Sequence, residues 1–158
     1  MDFNLSNAVL ERKKWRSKNL KVVFTNGVFD ILHRGHVEYL EKAKILGDKL
    51  IVGINSNSSV KLIKGKNRPI VDEVDRATII LNLKSVDCVV IFDDKTPIKI
   101  IKKLIPDILV KGADWNVDSI VGKGIVEKKG GKVKTIKFLA NQSSTNIIES
   151  ILKKYNRK

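Results

Sequence analysis

Hydrophobic and polar positions along this chain fall into two alternating regimes. Near-continuous runs of Val, Ile and Leu recur at 21–25, 49–55, 87–92, 107–111 and 132–138. Runs that are apolar at successive positions, rather than at every second one, are what strands buried on both faces of a parallel sheet require. Between these runs the apolar residues move to helical spacing. Ser6 can cap a helix over 7–17. The segment 36–46 carries Val37, Leu40 and Ala43 at three-residue spacing and stops at Gly47. The segment 72–83 places Val74, Ala77, Ile80 and Leu81 on one face, and Pro97 suits the first turn of a helix over 97–104. Ser144 or a neighbour starts a last helix that ends near Tyr155. Strand–helix alternation at this density predicts an α/β fold, doubly wound and Rossmann-like, with three layers and a mainly parallel five-stranded sheet. The 158 residues read as one domain, with 1–20 as an N-terminal helical extension.

In such a sheet, ligands bind beyond the carboxyl ends of the strands. The stretches to examine are therefore 25–36, 55–68, 111–114 and 141–146, and they hold most of the polar residues with chemistry to offer. A GxGxxG dinucleotide fingerprint, a GxxxxGK[ST] phosphate loop and a GxSxG nucleophile elbow are all absent.

Charge adds a question. The chain has 31 Lys and Arg against 17 Asp and Glu, a formal charge of +14. A basic chain binds nucleic acid, an acidic surface or phosphorylated small molecules. Aromatic residues are only 6% and the lysines are spread from end to end, which disfavours a nucleic-acid module. No apolar run approaches the ~20 residues that span a bilayer. The N-terminus lacks the basic start and apolar stretch of a secretion signal, so a cytoplasmic protein without a membrane partner is expected. A single cysteine, Cys88, excludes an intrachain disulfide, and with only two histidines a structural zinc site is not expected.

Both histidines lie in one stretch: Thr25-Asn26-Gly27-Val28-Phe29-Asp30-Ile31-Leu32-His33-Arg34-Gly35-His36. They straddle Gly35 where a strand passes into a helix. A helix start presents N–H groups and a positive dipole end, a natural seat for phosphate. Gly35 permits close backbone approach between the two rings.

This stretch resembles the signature of the nucleotidylyltransferase superfamily, which includes the cytidylyltransferases, pantetheine-phosphate adenylyltransferase and class I aminoacyl-tRNA synthetases. Asn55-Ser56, Ser59-Val60-Lys61, Lys64-Gly65, Arg68-Pro69, Asp75-Arg76-Ala77, Val110-Lys111-Gly112-Ala113-Asp114 and Ser144-Thr145-Asn146-Ile147-Ile148 extend the resemblance from about 21 to 152. Together they resemble the adenylyltransferase half of the heptose-phosphate kinase/adenylyltransferases that make ADP-heptose. Three positions depart from that pattern: Val28 stands where Cys is usual, Asn57 where Asp is common, and Gly112-Ala113 where two glycines are usual.

The resemblance implies transfer of AMP from ATP, with Mg²⁺, to D-glycero-β-D-manno-heptose 1-phosphate. It implies that His33 and His36 hold the phosphates and stabilise the transition state, with Lys111 neutralising phosphate charge. Thr25, Asn26, Gly27 and Phe29 then form the nucleotide-side turn, beside Gly35. Ser143, Ser144 and Thr145 take the β- and γ-phosphates, and Asn55, Lys61, Lys64, Arg68 and Asp114 surround the sugar phosphate. Read from the residues alone, Phe29 serves core packing equally well, Asp30 caps the turn that follows it, Asp114 can be a turn carboxylate and Arg76 an ion-pair residue. No side chain is assigned to metal. A homodimer and a separate heptose-phosphate kinase are the partners the resemblance implies. The competing readings are a cytidylyltransferase for glycerol 3-phosphate or a similar polyol phosphate, and a basic nucleic-acid-binding module.

Overall fold

The apolar runs form five strands that all run parallel in one sheet: β1 (Val22–Gly27), β2 (Lys49–Asn55), β3 (Cys88–Phe92), β4 (Ile108–Gly112) and β5 (Lys132–Ile136), in the order β3-β2-β1-β4-β5. The computed structural model describes residues 2–113, 116–137 and 143–155. The predicted end of β5, Phe138, lies outside them. Among the described residues, seven α-helices connect and flank the strands: α1 (Leu5–Ser17), α2 (Arg34–Lys44), α3 (Asn57–Lys64), α4 (Glu73–Leu81), α5 (Ile98–Leu104), α6 (Lys123–Lys128) and α7 (Ser144–Tyr155). This is the doubly wound, three-layer arrangement expected. Helices α3 and α6 are additions to the elements read from sequence.

Strand side chains alternate between two cores. Val23, Leu50, Val52, Ile54 and Val89 pack with Tyr39, Leu40 and Ala43 of α2 and Ala77 and Ile80 of α4. Val22, Phe24, Ile51, Val90 and Leu109 pack on the other face with Ala8 and Trp15 of α1, Ile100, Ile101 and Leu104 of α5, and Val126 of α6. Each fully buried aliphatic or aromatic side chain contributes about 1.5–3 kcal/mol. Burial on both faces explains why β1 to β4 carry no polar alternation. The edge strand β5 does, with Lys132 and Lys134 exposed, as suits an edge kept from pairing with other chains.

The amino end of the sheet is closed by three aspartates. Asp48, Asp87 and Asp107 precede β2, β3 and β4 and accept the backbone N–H groups of Lys21, Leu50 and Val22 respectively. Burial alone raises the Asp87 carboxyl. Hydrogen bonds from Lys44, Lys49 and the Leu50 N–H outweigh it and hold the group below the usual carboxylate range.

Helix α1, in the segment read as an extension, is packed into this body. Its N-cap is Asn4, whose side chain accepts the Asn7 N–H, rather than Ser6. Its Arg12 is 5% exposed and reaches the end of α5. The Arg12 guanidinium donates to Leu104 O at 3.3 Å, Ile105 O at 3.1 Å and Asp107 Oδ1 at 3.1 Å. One side chain thus satisfies carbonyls that a helix C-terminus leaves open and orients the aspartate that caps β1. Arg12→Ala is therefore expected to cost about 3 kcal/mol, the low end for breaking a buried pair because Asp107 stays partly hydrated. Lys14→Ala, at the exposed Lys14–Glu11 pair, is expected to cost less than about 0.5 kcal/mol. Urea titration of both variants checks this, and equal losses would show that Arg12 is not the tie between α1 and the sheet.

Candidate active site

β1 has β2 on one side and β4 on the other, so the winding of the chain reverses there. A cavity of about 500 Å³ opens at the carboxyl ends of these strands, within the ~300–1,000 Å³ usual for small-molecule sites. Its floor is the end of β1 with Asn26 and Gly27 and the turn after it with Phe29, beside His33 and His36 at the start of α2. The β4 side is walled by Lys111, Gly112, Val121 and Ser143, Ser144 and Thr145 of the α7 start. The β2 side is walled by Asn55, Ile63, Lys64, Arg68 and, after β3, Lys95, Thr96 and Pro97.

Asn26 and Gly27 belong to β1 itself, in register with Gly53 and Ile54 of β2. The chain turns at Phe29, whose φ of 48° is in the left-handed region, a conformation that costs a non-glycine residue about 1 kcal/mol or more. Its buried ring holds that conformation by packing edge-on to His36, centroids 5.2 Å apart. Gly27 makes room, because a Cβ there would lie 3.0 Å from Phe29 Cε2. Phe29 is thus both a core residue and part of the cavity floor.

α2 begins two residues earlier than the spacing predicts, at Arg34, with His33 as N-cap and no side-chain cap hydrogen bond. The two imidazoles stack with centroids 3.8 Å apart and planes at 26°. Burial lowers the pKa of His33. Burial first, and the neighbouring His33 second, push His36 down to about 4. Both rings are therefore neutral at pH 7 in the ligand-free protein.

Asp30 does not cap its own turn. It is 3% exposed, and its Oδ1 accepts the N–H groups of Ile70 and Val71 at 2.8 and 2.9 Å. Its Oδ2 lies 2.7 Å from Arg68 Nε. Arg76 is structural, but it is held by carbonyl and amide oxygens rather than by the ion pair expected. It is 1% exposed and donates to Val28 O, Val71 O and Asn57 Oδ1. The Asn57 amide also donates to Asp72 Oδ2. One amide donates and accepts here, which an ionised carboxylate cannot do.

Twelve residues singled out from sequence line the cavity: Asn26, Gly27, Phe29, His33, His36, Asn55, Lys64, Arg68, Lys111, Ser143, Ser144 and Thr145. Thr25 is fully buried beneath it, its hydroxyl 2.7 Å from the Tyr39 hydroxyl. Gly35 is buried in the first turn of α2, and Lys61 is exposed on α3, away from the cavity wall. Asp114 lies outside the described residues. Several wall residues already have partners. Lys111 Nζ donates to Asn26 O, the Asn55 amide donates to Ser59 Oγ, and Ser144 Oγ donates to Ile31 O. Ser143 is the cap of α7, accepting the Asn146 N–H on its hydroxyl and the Ile147 N–H on its carbonyl. Sequence reasoning missed Tyr39, Ile63, Val121 and Lys95-Thr96-Pro97. The last three follow β3, so the rule of looking just past each strand would have found them.

Among the described residues, five buried side-chain nitrogen or oxygen atoms lack a hydrogen-bond partner: Asn26 Oδ1, Asp30 Oδ2, His33 Nδ1, His36 Nδ1 and Arg68 Nε. All five belong to the wall of this one cavity. Two of the five, Asp30 Oδ2 and Arg68 Nε, face each other in an ion pair; buried polar groups are otherwise almost always paired, so the remaining three mark where a polar ligand completes the structure.

The cytidylyltransferase-like family model matches residues 24–150. This chain belongs to that family. Bifunctional protein HldE of Citrifermentans bemidjiense is 51% identical over 139 residues, 88% of this chain and 28% of that protein. Bifunctional protein HldE of Geobacter metallireducens is 50% identical over 147 residues, 93% of this chain and 30% of that protein. The chain thus spans less than a third of the length of these curated relatives. The crystal structure of the lipopolysaccharide core biosynthesis protein from Thermoplasma volcanium is 34% identical, with a TM-score of 0.63, covering 78% of this chain and 99% of that one. A protein of unknown function from Archaeoglobus fulgidus, at 16% identity and a TM-score of 0.59, shares the fold. As a cytidylyltransferase-like protein the chain is a nucleotidyltransferase, and the His33–His36 stack sits at the centre of its cavity.

The depressed pKa of His36 makes a prediction about the ligand-free enzyme. Between pH 6.5 and about 4 the unfolded chain binds a proton at this position and the folded chain does not. Its contribution to stability is complete above pH 6.5 and declines as the pH falls toward 4. His36→Gln removes this term. The Tm difference between parent and variant should shift in favour of the variant on acidification from pH 7 to 4.5. A constant difference would mean that His36 is not held neutral by the fold.

Proposed function

We propose that this enzyme transfers AMP from ATP to D-glycero-β-D-manno-heptose 1-phosphate, forming ADP-heptose and releasing pyrophosphate. The observation that carries the reading is the cavity wall: histidines at one helix start, hydroxyls at another and basic side chains on both sides. Phosphate oxygens are the ligand class that such a wall completes. The heptose is supported by the motif set after β2 and β4 and by about 50% identity to the HldE proteins over most of this chain.

In the proposed reaction an oxygen of the sugar 1-phosphate attacks the α-phosphorus of ATP. A new P–O bond forms, the bond from the α-phosphorus to the bridging oxygen breaks, and the electron pair leaves with pyrophosphate. The attacking phosphate is already ionised, so no side-chain base is needed. Catalysis then rests on positioning and on donors aimed at charge growing on the α-phosphate. A neutral imidazole donates one N–H without the cost of burying a cation, and His33 and His36 supply two such rings. Lys111 adds a positive charge on the β4 side, and Thr145 with the α7 start takes the outer phosphates. Lys64 and Arg68 face the sugar phosphate on the β2 side, with Lys95 beside them.

Magnesium enters with the triphosphate, as part of the substrate. Among the described residues no group of three His, Cys, Asp or Glu is placed to hold a metal ion, and phosphate oxygens and water supply the octahedral ligands Mg²⁺ takes in such complexes. We place the enzyme in the cytoplasm, as a homodimer supplied with its sugar 1-phosphate by a heptose-phosphate kinase reaction. Among the described residues no helix is long and apolar enough to cross a membrane.

The test is pyrophosphate release in a matrix of ATP or CTP against heptose 1-phosphate or glycerol 3-phosphate, with Mg²⁺. Turnover with ATP and heptose 1-phosphate is expected. Turnover only with CTP and glycerol 3-phosphate would replace this reading with the polyol-phosphate cytidylyltransferase. His36→Ala should lower kcat by about 10²–10³, the effect of removing a transition-state donor, with little change in Tm at pH 7. A large fall in Tm with most of kcat retained would make His36 a scaffold residue.

A further inference from the structure

We infer that Asp30 is a positioning residue that fixes the Arg68 guanidinium on the β2 side of the cavity to receive the phosphate of the acceptor substrate. The inference rests on the nucleotidyl-transfer reading above and adds a residue which that reading leaves without a role.

The two oxygens of Asp30 do different things. Oδ1 accepts two backbone N–H groups, from Ile70 and Val71. Oδ2 faces only Arg68, with Nε at 2.7 Å. The Arg68 side chain is 19% exposed and that of Asp30 1%, so the carboxylate lies behind the arginine and the arginine lies in the cavity wall. Neither Oδ2 nor Nε has an aligned hydrogen bond among the described residues. The pair is held by charge, which keeps the guanidinium in place beside the cavity.

The need for such a backing group follows from the surroundings. Lys64 and Lys95 share this side of the cavity, and three long basic side chains repel one another toward solvent. A buried carboxylate holds one of them in place at no cost in rotamer freedom when substrate binds. Arginine is the suitable residue, because its planar fork keeps donors for a phosphate after one edge has been given to a carboxylate.

Asp30 is not the sole tie between its two segments. Arg76 also joins Val28 to Val71 through their carbonyls, with its buried charge supported by Glu73 and Asp72 as well as by Asp30. Asp30→Asn also keeps an oxygen for the Ile70 and Val71 N–H groups and turns only the Arg68-facing atom into a donor. The substitution therefore removes the aim of Arg68 while the loop stays tied.

Steady-state kinetics of Asp30→Asn, Arg68→Gln and the double variant test this. Each single variant should raise the KM for heptose 1-phosphate about tenfold or more, the loss of one charge-assisted contact. The KM for ATP and kcat should change less than about threefold, and the double variant should be no worse than the worse single one. An equal rise in both KM values, an unchanged acceptor KM in either variant, or effects that multiply in the double variant would each overturn the inference. If Asp30→Asn melts far below the parent, Arg68→Gln and Arg68→Lys carry the test, since both leave the bonds of Asp30 to Ile70 and Val71 intact. Lysine should then fall short of arginine in acceptor KM alone, and an equal loss in ATP KM would overturn it. If the parent shows no turnover with heptose 1-phosphate, the substrate reading has failed. Calorimetry of inorganic phosphate binding, with α,β-methylene-ATP and Mg²⁺ present, then decides the inference separately. Weaker binding in both single variants, not compounded in the double, supports it, and parent-like binding in either one overturns it.

Discussion

β1 is shared by two halves of the fold, and the rest of the molecule follows from that constraint. A parallel sheet must be covered on both faces, because its strands are apolar on both and its connections are helices. Here the chain builds β2 and β3 on one side of β1, then returns to lay β4 and β5 on the other. Helices leaving β1 and β4 part at their carboxyl ends, and the gap between them is the cavity. The cores on either face are built from alternate residues of the same strands, so the gap is held open by well-packed residues that take no part in chemistry. Arg12 belongs to this frame. By bonding the end of α5 and Asp107 it fixes the start of β4 relative to β1.

The two ends of the strands use charge differently, with paired aspartates at one end and basic side chains around the cavity at the other. Asp48, Asp87 and Asp107 gather at the amino ends, where they close N–H groups of the neighbouring strand. Lys64, Arg68, Lys95 and Lys111 gather at the carboxyl ends around the cavity. The formal charge of +14 thus contains a small oriented part among many surface lysines. That part faces the space where the proposed reaction brings two phosphorylated molecules together. The buried atoms of the same wall on Asn26, His33 and His36 lack partners and are open to a bound ligand, while those on Asp30 and Arg68 face each other.

The strands were legible because burial on both faces writes itself as unbroken Val and Ile runs. The His-x-Gly-His stretch was legible because two histidines at a strand-to-helix junction are hard to explain as packing. Helix α3 was not, because Asn57-Ser58-Ser59 reads as loop chemistry and the cap, Ser56, is one serine among several. Helix α6 was not, because six residues containing Gly124 carry no period. Asn26-Gly27 reads as a turn but pairs with β2, since turn propensity yields to a full ladder of hydrogen bonds. Asp30 and Arg68 are 38 positions apart in sequence and 2.7 Å apart in space. A local reading of Asp30 could offer only a turn cap, because its partners come from a segment that the fold brings back. The same long-range closure hid Arg12 and Tyr39.

The central claim is that one cavity at the carboxyl ends of β1, β2 and β4 takes both phosphorylated substrates, with the His33–His36 stack between them. A crystal structure of the enzyme with α,β-methylene-ATP, Mg²⁺ and the sugar 1-phosphate tests it most directly. The account predicts the α-phosphate within hydrogen-bond distance of the histidine rings, the outer phosphates at the start of α7, and the sugar phosphate against Arg68 and Lys64. A nucleotide bound elsewhere on the protein, or a cavity that takes the nucleotide with Arg68 still facing only Asp30 and the sugar phosphate bound apart from it, would contradict it.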